Sequence, residues 1–142
     1  MKELSIKERE ILLKDLSSRL PYGVICQFYH AEFNADDEEP FSITYNDKLS
    51  IASNSFIGSF NHNIDKIRPY LRPMFSMTEE EKEELNCLCY HNISIQDDRI
   101  CGYICADEMY DVIDWLNKKM FDYRGLISIG LAIDCTGLHI YD

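Results

Sequence analysis

Asp107-Glu108-Met109-Tyr110-Asp111-Val112-Ile113-Asp114-Trp115-Leu116-Asn117-Lys118-Lys119-Met120 is the stretch that decides the fold class. Met109, Val112, Ile113, Leu116 and Met120 recur at i, i+3, i+4, i+7 and i+11, which puts them on one face of a helix. Asp111, Asp114, Asn117 and Lys118 take the other side, and Asp107 is placed to cap the start. A helix of this kind buries one stripe against another layer. The segments around it say what that layer is.

Two further helices announce themselves by their caps. In Thr78-Glu79-Glu80-Glu81 a hydroxyl and a carboxylate can satisfy each other's amide donors, and three acids suit the positive end of a helix that should run to about Cys89. Ser5 and Glu8 form a similar box, followed by Leu12, Leu13, Leu16 and Leu20 near helical spacing until Pro21 stops the run. Between these helices the pattern changes. Tyr22 to Tyr29 is rich in β-branched and aromatic residues, and Phe41 to Tyr45 alternates apolar with polar. Leu49 to Phe60 continues the alternation, with an ambiguous centre at Ala52-Ser53-Asn54-Ser55 where a bulge fits, and Asn46-Asp47-Lys48 reads as a tight turn. Ile64 to Leu71 reads as extended, 91–105 as short strands or ordered loop around Asp97-Asp98, and Ile127–Ile133 with His139–Tyr141 as tail strands joined near Gly137. Sequential strands with short turns favour antiparallel pairing. The expected fold is α+β, a small antiparallel sheet of about 4–6 strands packed with three helices. With 142 residues and no linker or repeat, residues 1–142 read as a single domain.

Charge narrows the partners. Lys and Arg number 14 against 25 Asp and Glu, for a net charge of −11, and such a field repels phosphate backbones, so general nucleic-acid binding is disfavoured. The acidic run Asp36-Asp37-Glu38-Glu39 lacks the ligand spacing and glycine of a calcium loop and reads as solvated. The N-terminal residues carry both signs of charge with no apolar signal core, and no stretch is long enough to span a membrane. A cytoplasmic protein is expected, its six cysteines reduced.

Chemistry is sparse. Cys87, Cys89, His91, Cys101 and Cys105 fall close in sequence, but C-x-C and C-x3-C are not zinc-knuckle spacings, and free cysteine is commonly a small buried hydrophobe. No metal site and no cofactor are expected. A thiol nucleophile needs a base, and nothing in the sequence sets His30, His62, His91 or His139 beside a cysteine. No catalytic residues are assigned. The binding candidates are Tyr70 and Arg72, held by the prolines of Pro69-Tyr70-Leu71-Arg72-Pro73, and Tyr123 and Arg124, directly after the best helix. Arginine and tyrosine on rigid backbone suit binding surfaces, and paired arginines can clamp a phosphate or carboxylate. The alternative is structural, with Arg124 serving the helix end or Asp122 and the proline segment acting as a packed connector.

The series Leu20-Pro21-Tyr22-Gly23-Val24, Pro69-Tyr70-Leu71-Arg72-Pro73, Ser76-Met77-Thr78-Glu79-Glu80, Asp122-Tyr123-Arg124-Gly125-Leu126-Ile127 and Gly130-Leu131-Ala132 resembles a group of short uncharacterised proteins of gut anaerobic bacteria and their phages. The resemblance spans most of the chain, though the ending from Ile133 to His139 departs from it. It implies a phage or mobile-element setting and no particular activity. Three function classes stay open on these grounds. The leading one is a non-enzymatic protein that docks on a host or viral protein. The second is a sponge for a small anionic ligand such as a nucleotide signal, and the third a zinc or thiol enzyme. Oligomeric state is not legible.

Overall fold

In a computed structural model of the chain, the described residues are 3–28, 41–45, 49–53, 59–60, 64–89, 93–96, 99–102 and 106–141. The expected turn at Asn46–Lys48, the acidic loop Asp36–Glu39, His30, His62, His91, Cys105 and the Asp97-Asp98 turn lie outside them.

Helix α1 spans Ile6–Arg19, with the Ser5 hydroxyl accepting from the Glu8 amide at 3.2 Å. Its buried stripe is Leu12, Asp15, Leu16 and Arg19, while Leu13 faces outward. This corrects the all-leucine stripe: i, i+3, i+4 and i+7 from Leu12 select an aspartate and an arginine. A 3-10 turn over Leu20–Tyr22 follows, and Gly23 ends it at φ 72, a left-handed conformation that glycine adopts without a Cβ penalty.

The strands are β1 (Ile25–Phe28), β2 (Phe41–Tyr45), β3 (Leu49–Ser53), β4 (Ser59–Phe60), β5 (Ile67–Leu71), β6 (Ile93–Gln96), β7 (Arg99–Gly102) and β8 (Ile133–Asp134). Six of them form one sheet in the order β4-β3-β2-β1-β5-β8, and β6 with β7 forms a separate hairpin. With α1, α2 (Glu79–Cys87) and α3 (Ala106–Lys118), the class is α+β. Among the described strands every pairing is antiparallel except β5 with β8, which is parallel through Tyr70↔Ile133 and Leu71↔Asp134 and is followed by a parallel bridge between Arg72 and Phe121. Pro69 stands in an inner strand because β8 reaches only as far back as Tyr70, so the proline lies outside the ladder on that side. Leu49–Phe60 is two strands, not one, and Ile64–Lys66 forms a 3-10 turn before β5.

The tail differs most from the sequence reading. Instead of a strand over 127–133, the Asp122 carboxylate accepts from the amides of Leu126 (2.8 Å) and Ile127 (2.9 Å), fixing a series of turns. Gly125 and Gly130, at φ 73 and 78, allow the reversals.

Among the described residues, apolar burial falls into two clusters. Leu12 and Leu16 of α1, Val24, Cys26, Ile67, Leu71, Met120, Leu126 and Leu131 form the first, between α1 and the sheet. Met74, Met77, Leu85 of α2, Val112 and Leu116 of α3, and Phe121 form the second, flanked by Ile95 and Ile100 of the hairpin. Among the described residues, no helix is long and apolar enough to cross a membrane.

Candidate functional site

Consecutive residues, Met120 and Phe121, belong to different clusters, so the chain must turn sharply between them. It does so by a Schellman motif at the end of α3. The Met120 amide bonds the Asn117 carbonyl at 3.1 Å and the Phe121 amide bonds that of Leu116 at 3.0 Å, with Met120 left-handed at φ 62. The apolar contact that accompanies such motifs is Leu116 with Phe121 in the second cluster. A non-glycine residue in this conformation costs roughly 1–2 kcal/mol. Burial of the Met120 side chain at 2% exposure offsets it, worth about 1.5–3 kcal/mol.

The turn delivers Phe121 to Arg124 onto α1 and β5. Arg72, just beyond β5, donates its amide to the Met120 carbonyl and accepts from the Asp122 amide, both at 2.8 Å. Arg19 of α1 donates Nη2 to the Phe121 carbonyl at 2.7 Å, and Nε and Nη2 to Asp15 at 2.9 and 3.0 Å. Both partners of that ion pair are wholly buried. Desolvating two charges is expensive, so the pair is retained through its extra bond to the backbone and its contact with Tyr123, whose ring centre lies 5.3 Å from the guanidinium. Arg19 Nη1 is buried and has no hydrogen-bond partner among the described residues.

The four sequence candidates divide between three settings. Tyr123 and Arg124 join Arg19: the Tyr123 hydroxyl donates to Asn117 Oδ1 at 2.8 Å and accepts from Arg124 Nη1 at 2.9 Å. Arg124 lies 3.6 Å from Asp15 and remains about a quarter exposed. Arg72 stacks on Phe121 at 4.2 Å and clamps Glu81 of α2 with bonds of 2.7 and 2.6 Å. Through that contact, and with the Thr78 amide helping against the opposing effect of burial, Glu81 is held down to about 2. Glu81 also completes the Thr78 capping box, so one carboxylate serves the helix start and the link to β5. Tyr70 is buried in the sheet and donates to Gln27 Oε1 at 2.7 Å. Each candidate therefore has an intramolecular partner.

Asp15, Arg19 and Asn117 were missed by the sequence reading. Arg19's signal was its place on the leucine stripe, where a charge needs a buried partner.

This arrangement offers no nucleophile with a base. Burial, with the Asp15 charge adding to it, pushes the Cys26 thiol well up, away from the reactive thiolate. Burial also raises Asp122, against the two amides it accepts. Among the described residues no group of three or more His, Cys, Asp or Glu is placed to hold a metal. Cys87 is exposed beyond the second cluster, whereas Cys89 packs against it. Chemically, the cluster is an ionic seam that ties the two apolar cores together. No protein-family model, curated protein or solved structure matches the chain.

Proposed function

We propose that the protein is a non-enzymatic binding protein of phage or mobile-element origin that acts in the cytoplasm by docking on a host or viral protein. The observation that carries this reading is how the reactive-looking side chains are used. Arg72 is committed to Glu81, Tyr123 to Asn117, Arg124 to Tyr123 and Tyr70 to Gln27. The outer surface, by contrast, carries the acidic excess together with large exposed apolar residues such as Ile6, Phe75 and Tyr110. A surface of that kind suits a protein partner better than a phosphate-bearing ligand. Affinity capture from a bacterial lysate, with the tagged chain cross-linked before washing, should retrieve a specific partner in near-stoichiometric amount. Retrieval of background proteins alone would sink the reading.

A small anionic ligand is the second reading, and one observation favours it: the unpaired Arg19 Nη1 lies in the same cluster as the partly exposed Arg124. A ligand at a hundredfold excess over its Kd stabilises the fold by about 2.7 kcal/mol. A thermal-shift panel of nucleotides with no response would remove this alternative.

A further inference from the structure

The exposed faces of the three helices are chemically unlike. On α1, Ile6 and Leu13 are exposed among charges of both signs, Lys7, Glu10 and Lys14. On α2, Glu79 pairs with Lys82, Glu84 pairs with Lys119 and accepts from Trp115 Nε1, and no large apolar side chain is exposed. On α3, Tyr110 is 78% exposed and Met109 is 42% exposed. Asp107 and Asp114 stand three residues before and four after Tyr110, so helical geometry sets them on either side of its ring on one face, with Asp111 beside them. All three aspartates are exposed and form no hydrogen bond or ion pair among the described residues. Among the described residues of α3 the only cation is Lys118, one turn beyond Asp114.

An exposed aromatic ring set between uncompensated carboxylates has a definite complement. Arginine stacks its flat guanidinium on aromatic faces and presents a fork of donors that fits carboxylate oxygens, whereas lysine offers a point charge. Anionic lipid and nucleic-acid phosphate would be repelled by the same three aspartates. We propose that the outer face of α3 docks an arginine-bearing segment of a partner protein. One guanidinium lies over Tyr110, its donors reach Asp107 and Asp114, and aliphatic carbon of the segment covers Met109. This rests on the protein-docking reading and gives it a surface and a partner chemistry.

The test is fluorescence anisotropy with a labelled short helical peptide of arginine, alanine and leucine, alongside a twin with lysine for arginine. At low salt the arginine peptide binds, and the lysine twin binds about threefold more weakly. Tyr110→Ser weakens binding about threefold, and Asp107→Asn with Asp114→Asn about tenfold. Glu80→Gln with Glu83→Gln on α2 removes the same charge and changes binding less than about twofold. Equal weakening by the α2 and α3 pairs would show a general charge effect and overturn the proposal. Lysate capture separates the two levels. If Tyr110→Ser/Asp107→Asn/Asp114→Asn retrieves the wild-type partner undiminished, the surface is wrong and the docking reading stands. If the wild type retrieves no partner, both fall.

Discussion

Glu81→Gln isolates the charge that ties α2 to the end of β5. Glutamine can still accept from the Thr78 amide, so the capping box survives and only the ion pair with Arg72 is lost. The carboxyl is lowered from 4.5 to about 2 in the folded protein. A depression of that size corresponds to about 3 kcal/mol at full strength. Arg72 is about a quarter exposed, and solvent screening brings the expected contribution to about 1–2 kcal/mol. The folded value lies below the unfolded one. The contribution is therefore fully present above the unfolded value of 4.5 and is lost as pH falls toward 2. Urea unfolding followed by circular dichroism, at steps from about pH 7 to about pH 2.5, should show the wild type more stable by about 1–2 kcal/mol at the upper end, with the gap closing below about pH 4.5. A gap constant across the series, or absent at neutral pH, refutes the argument that the pair is electrostatic and coupled to the fold.

Asp15→Ala alone should destabilise the fold by about 3–5 kcal/mol by stranding Arg19, whereas Asp15→Leu with Arg19→Met should cost less than either change alone. Additive losses in that cycle would show that the two do not act as a unit. Tyr141→Phe removes the hydroxyl that donates to the Tyr70 carbonyl and accepts from the Ile25 amide, and should cost about 1–3 kcal/mol by urea titration. A chromogenic disulfide reagent should label exposed Cys87 in the native protein and Cys26 only at the rate of unfolding; equal native rates would contradict the burial of Cys26.

What the sequence made legible is what short-range rules govern. The Thr78–Glu81 box and the Val112–Leu116 spacing of α3 appear where residue spacing places them, because both depend on neighbours within a turn or two. However, α3 starts at Ala106, before the expected cap Asp107, Met109 of the expected stripe is exposed, and Asn117, expected on the outer side, is buried. Spacing puts Leu13 inward because it cannot tell a leucine at the stripe's edge from an aspartate at its centre; only the partner Arg19 decides that. Ile127–Ile133 has strand composition, yet the Asp122 carboxylate and two left-handed glycines hold this part of the tail in turns. Tyr123 and Arg124 stood out as a pair. Their partners on α1 did not, since the bond from Arg19 to the Phe121 carbonyl joins residues 102 positions apart.

Tyr141 has a consequence for the order in which the molecule assembles. Its hydroxyl bonds β1 and β5 across 116 and 71 positions of sequence. Loops of that length close slowly relative to local turns, and each contact they make lowers the folding rate. During synthesis, α1 and β1 emerge before Tyr141, so the Ile25 amide waits for its partner until that residue arrives. The helices can form early; the fastening of β1 and β5 by Tyr141 needs residues far apart in sequence, so it is a late kinetic step and Tyr141 its latch.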